Sequence, residues 1–244
     1  MRNIALFLAL LCAAAAAGAA DDAFIRRAIE AKLNGARVEG IQPAPMPGWF
    51  EVRFRTQEGI RVIYTDEKAT FIIAGNVFDL RSDRDLTEER MRVLNAIDFR
   101  TLPLDLAVKV QRGNGKRVMA MFSDPYCPAC RSFERELMQV SDITIYVFMF
   151  PVIRPENADQ SRGVWCSEDR AKAWLELALR GRPPVAKATC DNPVDKVLSL
   201  GHSLNVGSTP TTILSNGVRY KGGLSADALR AALDEASRFA PDRK

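Results

Sequence analysis

Two cysteines separated by two residues stand where an apolar strand turns into a helix, and that junction constrains this chain more than any other feature. Val118 to Phe122 is an unbroken apolar run, Ser123-Asp124-Pro125-Tyr126 interrupts it, and Cys127-Pro128-Ala129-Cys130 opens a segment predicted as helix to about Val140. Pro128 suits the first helical position, where a missing N–H costs nothing. Cys127 then sits at the unpaired N–H groups and positive end of the helix, which favour a thiolate. Cys130 lies one turn further in, close enough for a disulfide and more buried. Such a pair can attack a foreign disulfide with the first sulfur and resolve the mixed disulfide with the second.

Other uses of the pair fit less well. Zinc wants four ligands, usually as two close pairs, whereas the cysteines at 127, 130, 166 and 190 leave only one close pair. A purely structural bridge across so short a loop removes almost no chain entropy. A c-type haem site needs His after the second cysteine, and residue 131 is Arg.

The flanking pattern supplies the fold. Ile143 to Phe150 reads as a buried strand, 155–205 as mostly helical, and Thr211–Leu214 and Val218–Lys221 as a hairpin around Asn216-Gly217. Ser225 caps a last helix with Leu229, Leu233 and Ala236 inward. Strand, helix, strand, helical insertion, hairpin and helix is the order of a thioredoxin fold. Upstream, Phe24, Ile25, Ala28, Ile29 and Leu33 space a short helix. Phe50, Val52 and Phe54, then Ile60, Val62 and Tyr64, alternate as strands, and Phe71–Ala74 is a further apolar run before the Gly75-Asn76 turn. This unit of about 60 residues has a thin core and is expected to lean on a partner. Residues 81–105 read as a connector, with Thr87 as N-cap, Glu88 and Glu89 in the first turn, Met91, Leu94 and Ile97 on one face, and Pro103 as terminator. A core helix of the second domain fits this pattern equally well.

The first twenty residues stand apart. Arg2, the apolar run Ile4–Ala17 and the small residues Gly18, Ala19 and Ala20 before Asp21 form the three regions of a secretory signal peptide. The run is alanine-rich and no basic residue follows to stop transfer, so a membrane anchor is disfavoured. Leu11 is too bulky to precede a lipoprotein Cys12. No second apolar span follows residue 21, and the mature chain is expected to be soluble. With 47% hydrophobic and 26% charged residues it is no disordered chain, and a net charge of +4, its basic residues scattered, argues against nucleic acid. In an oxidising compartment the four cysteines after Cys12 read as two disulfides of three possible connectivities. Spacing favours Cys127 with Cys130, which leaves Cys166 for Cys190.

Ser208-Thr209-Pro210 is the second candidate site. Most X–Pro bonds in folded proteins are trans, and residue type alone predicts trans here. His202, the only histidine, shows no partner triad and reads as a surface or packing residue, and Trp165 and Trp174 as packing for the insertion.

Phe122–Cys130, Trp165-Cys166, Thr189-Cys190-Asp191, Gly207–Thr211 and Leu214–Gly217, with Leu86–Arg90 and Arg112–Arg117, resemble the DsbC/DsbG family of periplasmic disulfide isomerases, closest to the DsbC branch. The resemblance spans the mature chain and is most specific over 118–236. It implies an α+β chain: signal peptide 1–20, cystatin-like dimerisation domain 21–80, helical linker 81–105 and thioredoxin-like catalytic domain 106–244. It implies Cys127 as exposed nucleophile, Cys130 as resolving thiol, Pro210 as a cis-proline facing them, and Thr209 as backbone for an extended substrate. Cys166 and Cys190 match that branch's structural disulfide. Pro128-Ala129 departs from the Gly-Tyr pair of the best-known members, and this dipeptide tunes redox poise.

The implied function is isomerisation, and at need reduction, of wrong disulfides in exported proteins by a periplasmic homodimer. No metal or cofactor is expected, and a DsbD-type inner-membrane reductase would keep the pair reduced. A DsbG-like reductase of oxidised single cysteines would share these sites. A holdase chaperone gripping unfolded chains through apolar surface is the rival from another class.

Overall fold

The computed structural model describes residues 22–34, 36–57 and 59–238. The expected signal peptide lies outside them. Among the described residues no helix is long and apolar enough to cross a membrane. The chain divides between Leu94 and Asn95 into two compact units, within the stretch expected as a connector.

In the first unit a helix over 22–32 (α1) accompanies a four-stranded antiparallel sheet. Its strands are β1 (Val38–Pro43), β2 (Trp49–Thr56), β3 (Gly59–Asp66) and β4 (Ile72–Ile73), in that order. Val52 and Ile63 are register partners and, with Val38 and α1 residues Ile25 and Ile29, fill the core. The sequence did not announce β1: its register shifts between Val38 and Gly40, so its alternation is broken. A two-residue ribbon follows, β5 (Phe78–Asp79) with β6 (Arg84–Asp85).

Helix α2 (Leu86–Leu94) belongs to this unit. Thr87 is not its cap. Asp85 Oδ1 accepts from the Glu88 N–H at 2.9 Å, while Thr87 is buried, its Oγ1 2.5 Å from Tyr64 Oη and accepting from the Val77 N–H at 2.9 Å. Arg90 donates to the buried Glu51 carboxylate and to Gln42 Oε1, both at 3.0 Å, fixing the helix to β2 and β1. The helix ends at Leu94, so Ile97 does not extend its face. Phe71, Ile72, Ile73, Phe78 and Leu80 remain exposed along and beside β4, the last strand of the sheet.

The second unit is built on a five-stranded sheet. Its strands are β7 (Val108–Arg112), β8 (Arg117–Ser123), β9 (Ile143–Met149), β10 (Thr211–Leu214) and β11 (Arg219–Lys221), ordered β11-β10-β8-β9-β7. β8 and β9 are parallel and joined through α3 (Pro128–Leu137); every other pairing is antiparallel. Both faces of the central strands are covered. Met119 and Met121 of β8 enter a core with Phe133, Leu137, Trp174 and Leu229, while Ala120 and Phe122 enter another with Phe148, Phe150 and Val197. That double burial is why these strands read as continuous apolar runs. β7 escaped the sequence reading because only Val108 and Val110 carry its period of two.

The segment after α2 packs on this unit: Leu102 enters the second core, with Ile97 and Phe99 against it. The Ile97 N–H donates to Gly217 O at 2.9 Å, and a Cβ on Gly217 (φ +85°) would lie 2.1 Å from Ile97 O, so the Asn216-Gly217 turn requires glycine twice over. The insertion supplies α4 (Ala158–Cys166), α5 (Arg170–Arg180) and α6 (Val194–Ser203), and the chain closes with α7 (Ala226–Arg238). Cys166 and Cys190 are joined in a disulfide, Cα atoms 5.7 Å apart. His202 is exposed with its ring edge-on to Phe150 at 5.8 Å. Trp174 is fully buried, and Trp165 lies under the Arg170 guanidinium at 3.8 Å.

One buried acid lies between α3 and α5. Glu134 Oε1 accepts from Trp174 Nε1 at 2.8 Å. Burial raises its pKa from the ordinary 4.5 to about 7, although the Trp174 hydrogen bond and the Arg112 charge pull the other way. The unfolded chain therefore loses this proton before the folded one does, and stability falls as pH rises from about 4.5 to about 7.

Two outcomes follow. Glu134→Gln keeps an acceptor for Trp174 and cannot ionise, so denaturant melts at pH 8 should show it more stable than the parent by roughly 1–3 kcal/mol, with the difference gone near pH 4. Replacing both Cys166 and Cys190 frees a loop of sequence separation 24 and should cost about 3 kcal/mol in the chain-entropy picture. Thermal melts of the oxidised protein check this as a drop of several degrees.

Candidate active site

The site forms where β8 ends and α3 begins. Cys127 is the N-cap of α3 with φ −76° and ψ 120°, its carbonyl accepts from the Arg131 N–H at 3.1 Å, and Pro128 follows at the first helical position. Both cysteines are free thiols. Cys127 was expected to be exposed; it is 6% exposed, against 1% for Cys130. Its thiol turns in to donate to the Thr209 carbonyl at 3.3 Å, which is why so little of it shows.

Thr209 and Pro210 arrive from the loop before β10, brought alongside the motif because β10 pairs with β8. The Thr209–Pro210 peptide bond is cis, as the family resemblance implies and against the trans expectation drawn from residue type alone. Thr209 is half-buried, Pro210 is buried, and the Pro210 carbonyl accepts from the Gly222 N–H at 2.8 Å.

The two sulfurs differ in acidity. Burial pushes the Cys127 thiol up, but hydrogen bonds from the Thr209 side chain, the Cys130 N–H and thiol, and the Ala129 N–H outweigh it and leave the pKa below the ordinary 9.0. Cys130 goes the other way: burial dominates and lifts it to about 12, against the opposing influence of the Asp124 N–H and the Ser123 and Thr209 side chains. The Asp124 N–H lies 3.5 Å from Cys130 Sγ, and the Ser123 and Thr209 hydroxyl oxygens are buried with no hydrogen-bond partner among the described residues. The arrangement thus favours the thiolate at Cys127 relative to an ordinary cysteine and keeps the second sulfur protonated in reserve.

Residues that the sequence reading passed over complete the site. Asp124 is fully buried and accepts three backbone N–H bonds, although Ser-Asp-Pro reads as an ordinary turn. Glu134 had a signal: with Cys130, Phe133 and Leu137 it occupies the inward face of α3, an acid at an apolar position. The Tyr126 ring has two guanidinium groups near it, Arg131 at 5.9 Å and Arg154 at 5.8 Å from its centroid. Beside Ala129 a groove is walled by Ser132, Phe133, Glu136 and Leu224. Cys166 and Cys190 are bonded to each other, leaving the Cys127 and Cys130 thiols as the free pair. Among the described residues no cluster of three or more His, Cys, Asp or Glu side chains could hold a metal ion.

Comparison with known proteins places this geometry. The profile of the disulfide bond isomerase protein N-terminal domain matches residues 13–88, and that of a thioredoxin-like domain matches 104–237. The probable thiol:disulfide interchange protein DsbC of Bordetella pertussis is 41% identical over 203 residues, covering 83% of this chain and 70% of that protein. The thiol:disulfide interchange protein DsbC of Escherichia coli K12 is 27% identical over 243 residues, 98% of each. A crystal structure of a disulfide interchange protein from Neisseria gonorrhoeae superposes with a TM-score of 0.54 at 38% identity, covering 56% of this chain and 99% of that one. By its sequence, its thioredoxin-like unit and the paired thiols at the head of α3, the chain belongs to the DsbC family of thiol:disulfide interchange proteins.

Proposed function

We propose that this protein is a periplasmic disulfide isomerase in which Cys127 attacks and Cys130 resolves. The observation that carries the roles is the placement of the two sulfurs: Cys127 at the N-cap of α3, and Cys130 a turn further in, 1% exposed; burial accordingly lifts the Cys130 pKa to about 12 while that of Cys127 falls below its ordinary value. The Cys127 thiolate attacks one sulfur of a wrong disulfide, a mixed disulfide forms, and the other substrate sulfur leaves as a thiolate. A substrate thiolate can then displace Cys127, which completes an isomerisation. Alternatively Cys130 displaces the substrate, which completes a reduction and leaves the Cys127–Cys130 pair oxidised. The high pKa of Cys130 slows that second route and gives the substrate time to find a better pairing. Thr209 and Pro210 flank the attacking sulfur and supply backbone for an extended substrate chain; Cys166–Cys190 is structural.

The first unit serves dimerisation in this reading, with residues 81–105 as linker and 106–244 as catalytic domain. β4 offers an open edge, and exposed Phe71, Ile72 and Ile73 make that edge apolar, the combination a second copy can cover. Substrates are misoxidised exported proteins, and a DsbD-type reductase restores the thiols. Export rests on the signal-peptide pattern of residues 1–20.

Iodoacetamide alkylation of the reduced protein should titrate with a midpoint below 9.0 at Cys127 and leave Cys130 unmodified until far more alkaline pH. Equal reactivity read by mass spectrometry would remove the basis for the two roles, and faster alkylation of Cys130 would reverse them. The function itself is tested by refolding a scrambled multi-disulfide protein with the reduced full-length chain. Cys127→Ser should be inactive, and Cys130→Ser should accumulate mixed disulfides with the substrate. A charged replacement at Ile73 should yield monomers by light scattering and lose most isomerase activity. A parent chain that is monomeric at micromolar concentration removes the dimer from the reading.

A further inference from the structure

We infer that Asp124 is a positioning residue for the exchange reaction: its buried carboxylate clamps the loop between β8 and α3 to the segment leaving β9, and its own backbone thereby holds both cysteines. The inference rests on the reading of Cys130 as the resolving thiol.

The carboxylate is fully shielded from solvent. Oδ1 accepts from the Tyr126 N–H at 2.7 Å, and Oδ2 accepts from the N–H groups of Val152 at 2.8 Å and Ile153 at 2.7 Å. Bonds from backbone N–H to a carboxylate are short and roughly twice as strong as those between neutral groups. They tie two stretches of chain just past the end of the β8–β9 pairing, whose last backbone bond runs from the Phe150 N–H to Ser123 O at 2.9 Å. The backbone of the same residue reaches the chemistry on both sides. Its carbonyl accepts from the Cys127 N–H at 3.1 Å, and its N–H donates to Cys130 Sγ at 3.5 Å. Arg131 also grips the loop, donating from Nε to Pro125 O at 2.8 Å, but that bond runs back to α3 and not across to the β9 side. Tyr126 and Arg154, which follow Asp124 and Ile153 closely, bring one face of the site together through the same clamp.

The two chemical steps depend on this unequally. In the first, the Cys127 thiolate draws on the Thr209 side chain and the N–H groups at the head of α3. In the second, Cys130 gives up its proton, its thiolate attacks Cys127 Sγ, the Cys127–Cys130 bond forms, and the bond to substrate breaks. The substrate sulfur leaves with the electron pair and takes up a proton. A backbone N–H held at Cys130 Sγ favours the buried thiolate and aims it. Releasing the clamp therefore slows resolution more than attack.

The test uses the reduced full chain and a fluorophore-labelled peptide disulfide in single-turnover mixing, with formation and decay of the mixed disulfide followed separately. Asp124→Asn turns an amide donor on N–H groups that need an acceptor. It should slow decay about tenfold, the worth of roughly one hydrogen bond, and leave formation within about twofold. Equal slowing of both steps, or of neither, overturns the inference. Should the variant fail to fold, amide hydrogen exchange on the unaltered protein decides the matter. The Tyr126, Val152 and Ile153 N–H groups should open together with one protection factor, and independent or unprotected exchange overturns the clamp. Failure of Cys130→Ser to prolong the mixed disulfide would instead strike the parent reading of Cys130, whatever Asp124→Asn does.

Discussion

β8 is the strand on which both cores and the site depend. It is hydrogen-bonded to β9 on one side and β10 on the other, and its side chains alternate between two apolar layers. A strand so enclosed has no soft direction, and its end delivers Ser123, Asp124 and then the cysteines to a fixed point. The Phe150 N–H donates to Ser123 O at 2.9 Å, carrying the parallel pairing one step past the regular ladder. The Thr209–Pro210 loop reaches that point because β10 is in register with β8, Thr211 opposite Phe122.

Two buried acids close to this point are treated differently by the fold. Asp124 meets three backbone N–H groups, which replace most of the water it gave up. Glu134 meets one indole N–H, and burial then wins, lifting its pKa to about 7. The difference comes from location. The end of a strand beside a loop presents free N–H groups, whereas the middle of a helix has already spent its own.

Local rules made the elements around the site legible. The apolar run before Cys127, Pro128 at the helix start, the Asn216-Gly217 turn and the Ser225 cap each have a local physical cause, and each stands where the sequence put it. What stayed hidden depends on contacts distant in sequence. Asp124 meets Val152 and Ile153, and Thr87 meets Tyr64 and leaves the capping to Asp85. Nor does spacing show that Cys127 turns inward to Thr209, far along the chain. β1 and β7 were missed for a smaller reason, since short strands with a bulge or only two apolar positions carry little periodicity.

The bond between Cys166 and Cys190 also bears on how the molecule comes into being. The Cys166–Cys190 bridge lies wholly after the free Cys127 and Cys130 thiols in sequence, and its loop encloses neither of them. Under the proposed export, a chain entering an oxidising space from its N-terminus would present Cys127 and Cys130 first, then Cys166, then Cys190. Cys190 is then the next thiol to follow Cys166, so the structural bridge closes without crossing the reactive pair.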